Sequence, residues 1–245
     1  GSNGSPTLTI ADNNGATAGQ LSVNEAGLPA GSLHDGSNVA TGSMTISAPN
    51  GLASIDFGAT HVTAAQLLTL GTTPVVITTA DGVLTLTGYS GGVLNYSYAI
   101  SAPQSAAGTS VTDNLAITVH DGAGLSSAAT TFTANIVDDV PTAVNDSIAT
   151  TANTAVTGSL ATNDIVGADV TGSWAVATNP AHGTVTINAN GGYTYTPTAG
   201  YLGADSFTYT LTDKDGDVST ATATVNVGSN GSPTLTIADN NGATA

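Results

Sequence analysis

Residues Asp213-Lys214-Asp215-Gly216-Asp217 place three carboxylates at positions i, i+2 and i+4 around a glycine that permits a sharp turn. Hard oxygen ligands at that spacing suit Ca2+, which takes about six to eight oxygens in a flexible shell. An EF-hand is excluded, because no Glu follows at loop position twelve and the flanking residues alternate as strands rather than helices. A polar hairpin tip, with Lys214 offsetting one Asp, would use the same residues.

The charge inventory sharpens the question of what neutralises these carboxylates. Sixteen Asp and one Glu, Glu25, face a single Lys and no Arg, for a formal net charge of −16. Soluble domains are ordinarily about a quarter charged with both signs mixed, whereas only 7% of this chain is charged. Such a surface repels nucleic acid and anionic membranes, which are excluded as partners. Scattered acids such as Asp56 and Asp81 read as a solvated acidic surface. Cysteine is absent, so neither disulfides nor thiol chemistry are available. No apolar run reaches the roughly eighteen residues needed to span a bilayer.

The elements that must position the acids are strands. Apolar residues alternate with polar ones at Leu8 and Ile10, Ile55 and Phe57, Leu84 and Leu86, Leu115, Ile117 and Val119, Val185 and Ile187, and Phe207, Tyr209 and Leu211. Turn chemistry punctuates them at Pro49-Asn50-Gly51, Asp81-Gly82, Asp121-Gly122, Asn190-Gly191-Gly192 and Asp215-Gly216. One short helical stretch is expected around Thr63 to Leu70. The fold class expected is all-β: two tandem immunoglobulin-like sandwiches with at most a short helix.

Gly1–Ala18 and Gly228–Ala245 are identical, so the chain holds one repeat, 1–227, and the opening of the next. Fixed-period identity marks an array of units that pack on their neighbours. A second boundary falls at Val137-Asp138-Asp139-Val140-Pro141, where the Pro-Thr of the repeat junction recurs. The expected domains are 1–139, a larger sandwich, 140–227, a smaller one, and 228–245, the start of the next repeat. The segment from Asp113 to Asp121 aligns without gaps on that from Asp205 to Asp213, which marks the two sandwiches as related.

In an immunoglobulin-like sandwich the loop between the last two strands lies at the pole where the chain enters. Asp213, Asp215 and Asp217 are therefore expected to approach the linker carboxylates Asp138, Asp139 and Asp146, with Asp164 and Asp169 nearby. Like charges packed so closely repel by several kcal/mol in a partly dehydrated joint, so a counter-charge is required, and Lys214 alone is insufficient. Calcium is the expected cofactor. The larger domain keeps Asp113 and Asp121 but has Ala123 and Leu125 where its partner has Asp215 and Asp217. Its further candidate ligands are Asp12 and Glu25. Carboxylates bound to calcium have depressed pKa values, so acid is expected to mimic chelation.

Catalytic readings find little support. His34, His61, His120 and His182 show no metal-ligand spacing, and the serines lack an elbow motif or a paired base. Tyr96 and Tyr98, like Tyr193 and Tyr195, stand two apart on a strand face and are expected to pack across strands.

The run from Pro180 to Val227, PAHGTVTINANGGYTYTPTAGYLGADSFTYTLTDKDGDVSTATATVNV, resembles the cadherin-like, immunoglobulin-like repeats of very large bacterial surface adhesins, and the likeness extends back to Pro141. The first domain is similar to the related repeat of type I-secreted, repeats-in-toxin (RTX) adhesins through VNEAGLPAGS at 23–32, TADGVLTLTG at 79–88 and DNLAITVHDGAG at 113–124. The resemblance implies a non-enzymatic extender on the bacterial cell surface, with linkers rigidified by Ca2+ and export directed by a C-terminal signal. The implied partners are neighbouring repeats of the same chain and calcium, in a monomer. Strands of eight to ten residues at about 3.3 Å each give domains of roughly 30 to 40 Å, or about 70 Å per repeat. The alternative is a calcium-dependent glycan-binding module.

Overall fold

In the computed structural model, residues 4–15, 20–104, 108 and 110–231 are described. Small and β-branched residues in period-two alternation form strands, and the strands assemble into two units. The first comprises Gly1–Thr142 with Ile165–Gly172 and Thr212–Val218; the second comprises Ala143–Asp164, Ser173–Leu211 and the chain from Ser219. Two short segments thus group with the first unit although their flanking strands belong to the second.

The first unit contains β1 (Thr7–Ile10), β2 (Leu21–Asn24), β3 (Val39–Ser47), β4 (Leu52–Phe57), β5 (Thr60–Thr63), β6 (Val75–Thr78), β7 (Val83–Ser90), β8 (Val93–Ala99), β9 (Val111–Asp121) and β10 (Thr130–Val137). They form two five-stranded sheets, ordered β1-β3-β8-β7-β6 and β2-β10-β9-β4-β5. One core lies between them, with Met44, Leu84, Leu86, Leu94, Tyr96 and Tyr98 from one sheet meeting Ile55, Phe57, Ile117, Val119, Phe132 and Ala134 from the other. The alternation slips at Ser54 and Ile55, both buried, because a bulge between Leu52 and Ser54 shifts the register on β9. Gly91 and Gly92 link β7 to β8 with φ of 59° and 80°, the two left-handed positions of a tight hairpin whose twist matches its strands.

The expected helix is one turn, α1 (Ala64–Leu67). Thr63 caps it: its hydroxyl accepts from Gln66 N–H at 3.3 Å while the Gln66 side chain accepts from Thr63 N–H at 2.8 Å. Leu67 and the following Leu70 enter the core. Among the described residues no helix is long and apolar enough to cross a membrane.

The second unit contains β11 (Asp146–Thr151), β12 (Val156–Ser159), β13 (Ser173–Thr178), β14 (Gly183–Ile187), β15 (Gly192–Pro197), β16 (Gly203–Thr212) and β17 (Val218–Gly228). Its sheets are ordered β11-β17-β16-β13 and β12-β15-β14. Ile148, Trp174, Tyr195, Phe207, Tyr209, Leu211, Ala223 and Val225 are buried there. In both units an early strand pairs parallel with the last: β2 on β10 from Leu21↔Ala134, and β11 on β17 from Asp146↔Ala223. The relatedness read from sequence also appears in a buried tyrosine. Tyr98 donates its hydroxyl to Asp113 Oδ2 at 2.6 Å, and Tyr195 donates to Asp205 Oδ2 at 2.7 Å. The fold is all-β, built from immunoglobulin-like sandwiches.

Candidate metal centre

The loop between β16 and β17 is shaped by its own first acid. Asp213 Oδ1 accepts from Gly216 N–H at 3.0 Å and Asp217 N–H at 2.8 Å, and Asp213 N–H donates to Asp217 O at 3.1 Å. Asp121 closes its turn in a related way, accepting from Ala123 and Leu125 N–H at 3.0 and 2.8 Å. The difference is the second oxygen. Asp121 Oδ2 takes the Asn50 side-chain amide at 2.8 Å, whereas Asp213 Oδ2 is buried without a hydrogen-bond partner.

Two groups of carboxylates each bring a ligand oxygen within 4.8 Å of the others: Asp138, Asp169 and Asp215, and Asp213, Asp215 and Asp217. All belong to the first unit by its division of the chain. Asp138 follows directly on β10. Asp169 is positioned by Gly167, whose φ is +89° and where a Cβ would stand 2.3 Å from Asp139 O, so only glycine fits. Gly108 N–H donates to Asp138 Oδ2 at 3.1 Å and to Asp217 Oδ2.

Glu25 lies close enough to the group for the charges of Asp169 and Asp215 to act on it. It opens a short 3-10 turn, Glu25–Gly27, capped by Asn24, whose side chain accepts from Ala26 N–H at 2.9 Å. Glu25 is 1% exposed; Oε1 accepts from Gln104 N–H at 2.6 Å and Oε2 has no hydrogen-bond partner. Asp169, 4% exposed, likewise leaves Oδ2 unsatisfied. Buried carboxylate oxygens without donors are costly, and a bound cation is one way to offset that cost. The donor set is oxygen only, which selects hard cations over soft ones.

The electrostatics agree. Burial pushes the Asp138 carboxyl up to about 7, helped by a hydrogen bond with Asp217 and the charges of Asp215 and Glu25. Burial and then the adjacent Asp215 carboxyl push Asp213 up to about 6. Glu25 and Asp169 are raised too, each chiefly by burial. The metal-free fold thus holds protons that the unfolded chain, at the ordinary 3.8 for Asp, has already released. Its stability falls as pH rises between about 4 and 7. Asp121, held low first by the Asn50 amide, and Asp205, held low by Tyr195 and backbone N–H donors against the opposing effect of burial, lose their contribution only below that window. In chelator, thermal unfolding should therefore occur at higher temperature at pH 5 than at pH 8; the reverse order would contradict the crowding described here. Acid and chelation part company in this state, because protonation relieves a repulsion that chelation leaves in place.

The other acids proposed from sequence are held elsewhere. Asp139 is clamped by Ser32, whose N–H donates to Oδ2 at 2.8 Å and whose hydroxyl donates to Oδ1 at 2.5 Å. Asp146 and Asp164 share the Tyr209 hydroxyl, at 2.8 and 3.1 Å, within the second unit, and the Trp174 indole donates to Asp164 Oδ2 at 2.7 Å. Asp113 Oδ2 accepts from Thr79, Tyr98 and Asp81 N–H, leaving Oδ1 unpartnered. Asp12 is exposed and accepts from Asn14 N–H at 3.1 Å. Asp169, from sequence only a neighbour of the joint, lies inside the cluster. Its sole local signal is the glycine two residues before it. The histidines are less isolated than their spacing implies: Asp56 joins His61 Nδ1 at 2.6 Å to His120 Nε2 at 2.8 Å, and His120 Nδ1 meets Ser126 Oγ at 2.8 Å. Asp56 and His61 are open to solvent, where such pairs contribute little.

Among solved structures, the chain is similar to the D00-D0 domain of intimin, at 14% identity and a TM-score of 0.33, over 91% of this chain and 98% of that one. It is also similar to protocadherin gamma B2 extracellular cadherin domains 3–6, at 14% identity and a TM-score of 0.34, over 91% of this chain and 50% of that one. No curated protein matches the sequence. Residues 138–228, less than half of the chain, match the family Big_9, described as a bacterial Ig domain.

Proposed function

We propose that this chain is a calcium-stiffened spacer of a bacterial surface adhesin, holding distal binding domains away from the cell. The observation that carries the reading is the convergence of Glu25, Asp138, Asp169, Asp213, Asp215 and Asp217 in a chain whose only Lys or Arg is Lys214. An ion on Asp138, Asp169 and Asp215 would tie together three lengths of chain far apart in sequence. All three lengths belong to the first unit. The two groups share Asp215, so two ions bridged by that carboxylate would satisfy both. Extracellular modules bind Ca2+ with dissociation constants of about 0.1 to 1 mM, which fills such sites outside a cell and leaves them empty in cytosol. The bacterial Ig domain match over 138–228 supports an extracellular role.

Small-angle scattering of the whole chain tests the reading. Millimolar calcium should narrow the distribution of dimensions, and chelator should broaden it again. Identical scattering in both conditions would reject the spacer mechanism.

A glycan-binding role would need an accessible polar site. A cavity of about 550 Å3 in the second unit is lined by Ser147, His182, Asp205, Ser206, Thr224 and Asn226. Both Asp205 oxygens are already committed, to Ala181, Ser206 and His182 N–H and to Tyr195. The observations favour the spacer.

A further inference from the structure

On the outer face of the second sheet of the first unit, four polar side chains join in one line of hydrogen bonds. Period two turns Ile55, Phe57, Val62, Ile117 and Val119 into the core and leaves Asp56, His61 and His120 on the opposite face of β4, β5 and β9. Asp56 pairs with His61 across β4 and β5, and His120 stands two residues beyond Thr118, which faces Asp56 on β9. Ser126 is returned against His120 by the turn that Asp121 closes, where Asp121 N–H donates to Leu125 O at 2.9 Å and Ser127 N–H to Val119 O at 2.8 Å. Hydrogen bonds from His61 first and His120 second hold the Asp56 carboxyl below the ordinary carboxylate range, so it is ionised at neutral pH. A carboxylate only accepts. The ring nitrogens it meets, His61 Nδ1 at 2.6 Å and His120 Nε2 at 2.8 Å, therefore carry protons. In the neutral imidazole this leaves His120 Nδ1 a lone pair, and Ser126 Oγ lies 2.8 Å from it.

We propose that Ser126 is a base-activated nucleophile, with His120 as its base and Asp56 as the group that orients the base, and that it transfers acyl groups from small activated esters to water. A nucleophile within hydrogen-bond reach of a base, itself oriented by a third group, is the arrangement nucleophilic catalysis needs. No spacing in the chain reveals it, because sheet pairing brings Asp56 to His120. As Oγ bonds to the acyl carbon its proton passes to Nδ1, and the departing alcohol or phenol takes that proton as its C–O bond breaks. Water then attacks the acyl-serine and gives a proton to Nδ1; the acid leaves as Oγ recovers that proton. Asp56 stays ionised throughout and stabilises the imidazolium formed in each step. Ser126 is exposed on an open face, so the site suits small esters with good leaving groups and does not select their acyl chains. Two neighbours provide contrasts. Ser127 spends its hydroxyl proton on Ala128 O at 2.8 Å. Of the two imidazoles on Asp56, His120 is the one that reaches a serine among the described residues.

A fluorophosphonate probe, which a nucleophilic serine attacks with loss of fluoride, reads the site on the whole chain. Peptide mapping by mass spectrometry should find the adduct on Ser126 and not on Ser127, and Ser126→Ala should abolish it. His120→Gln should slow labelling about a hundredfold, the low end of what a positioned base contributes. His61→Gln should leave it nearly unchanged, while Asp56→Asn should slow it and Asp56→Glu recover part of the loss. With p-nitrophenyl acetate, Ser126 should carry a transient acetyl group and release nitrophenol over many turnovers. Labelling of Ser126 no faster than of Ser127, labelling indifferent to His120→Gln in a chain that circular dichroism shows folded, or an acetyl-serine that never turns over would overturn the proposal. Should His120→Gln unfold the chain, the comparison of Ser126 with Ser127 in the wild type decides the matter.

Discussion

Asp215→Asn is expected to abolish the stabilisation by calcium while leaving the metal-free chain as stable as the wild type, or more so. Asp215 belongs to both carboxylate groups, so one substitution damages every ligand set that the cluster can form. An ion that binds only the folded state at a hundred times its dissociation constant stabilises by about 2.7 kcal/mol. That increment is what the variant should lose, through a calcium affinity at least tenfold weaker, since about 1.4 kcal/mol corresponds to a factor of ten. The metal-free arm separates this from general damage. Asp215 raises the carboxyls of Asp138, Asp169 and Glu25 by its charge, and removing it relieves their repulsion. Calorimetric titration with calcium and thermal unfolding in chelator read the two arms. A variant equally responsive to calcium, or one much weaker in chelator, would overturn the assignment of Asp215.

Phe132→Ala should be the most damaging single change in the first unit. Phe132 is fully buried on β10 and meets Tyr96 edge-on at 5.4 Å and Tyr98 at 5.7 Å between ring centroids. Truncating a buried Phe costs about 3 to 5 kcal/mol through lost transfer energy and the cavity left behind. The loss should also loosen Tyr98, whose hydroxyl holds Asp113 at the start of β9. For a unit of this size the melting temperature should fall by roughly 10 °C. Trp174, the chain's only tryptophan, is buried in the second unit and provides an internal control. Circular dichroism should record the early loss while tryptophan fluorescence keeps its wild-type transition. A drop of under about 1 kcal/mol would mean that the site relaxes around the missing ring far more than close packing allows.

What was legible in the sequence was local or compositional. Period-two alternation specifies which face of a strand is apolar, and Phe207, Tyr209 and Leu211 are buried as that rule requires. Glycine and Asn or Asp at turns specify reversals, and the Asp213–Asp217 segment forms an acidic turn closed by its own backbone. The imbalance of seventeen acids against one base called for a counter-charge before any contact was known.

Which acids crowd together was decided by tertiary structure alone. Asp139 and Asp146 stood beside Asp138 in the same acidic linker, yet Ser32 takes the first and Tyr209 the second. Glu25 and Asp169 come from segments far apart in the chain, and no spacing rule relates residues brought together by sheet packing. Asp113 and Asp205 read alike in the alignment, but only Asp113 keeps an unpartnered buried oxygen, because its neighbours supply fewer N–H donors. Strand periodicity is set by bonds between neighbours in sequence, so it can be read residue by residue. Charge crowding depends on distances across the fold, and those exist only once the sheets have packed.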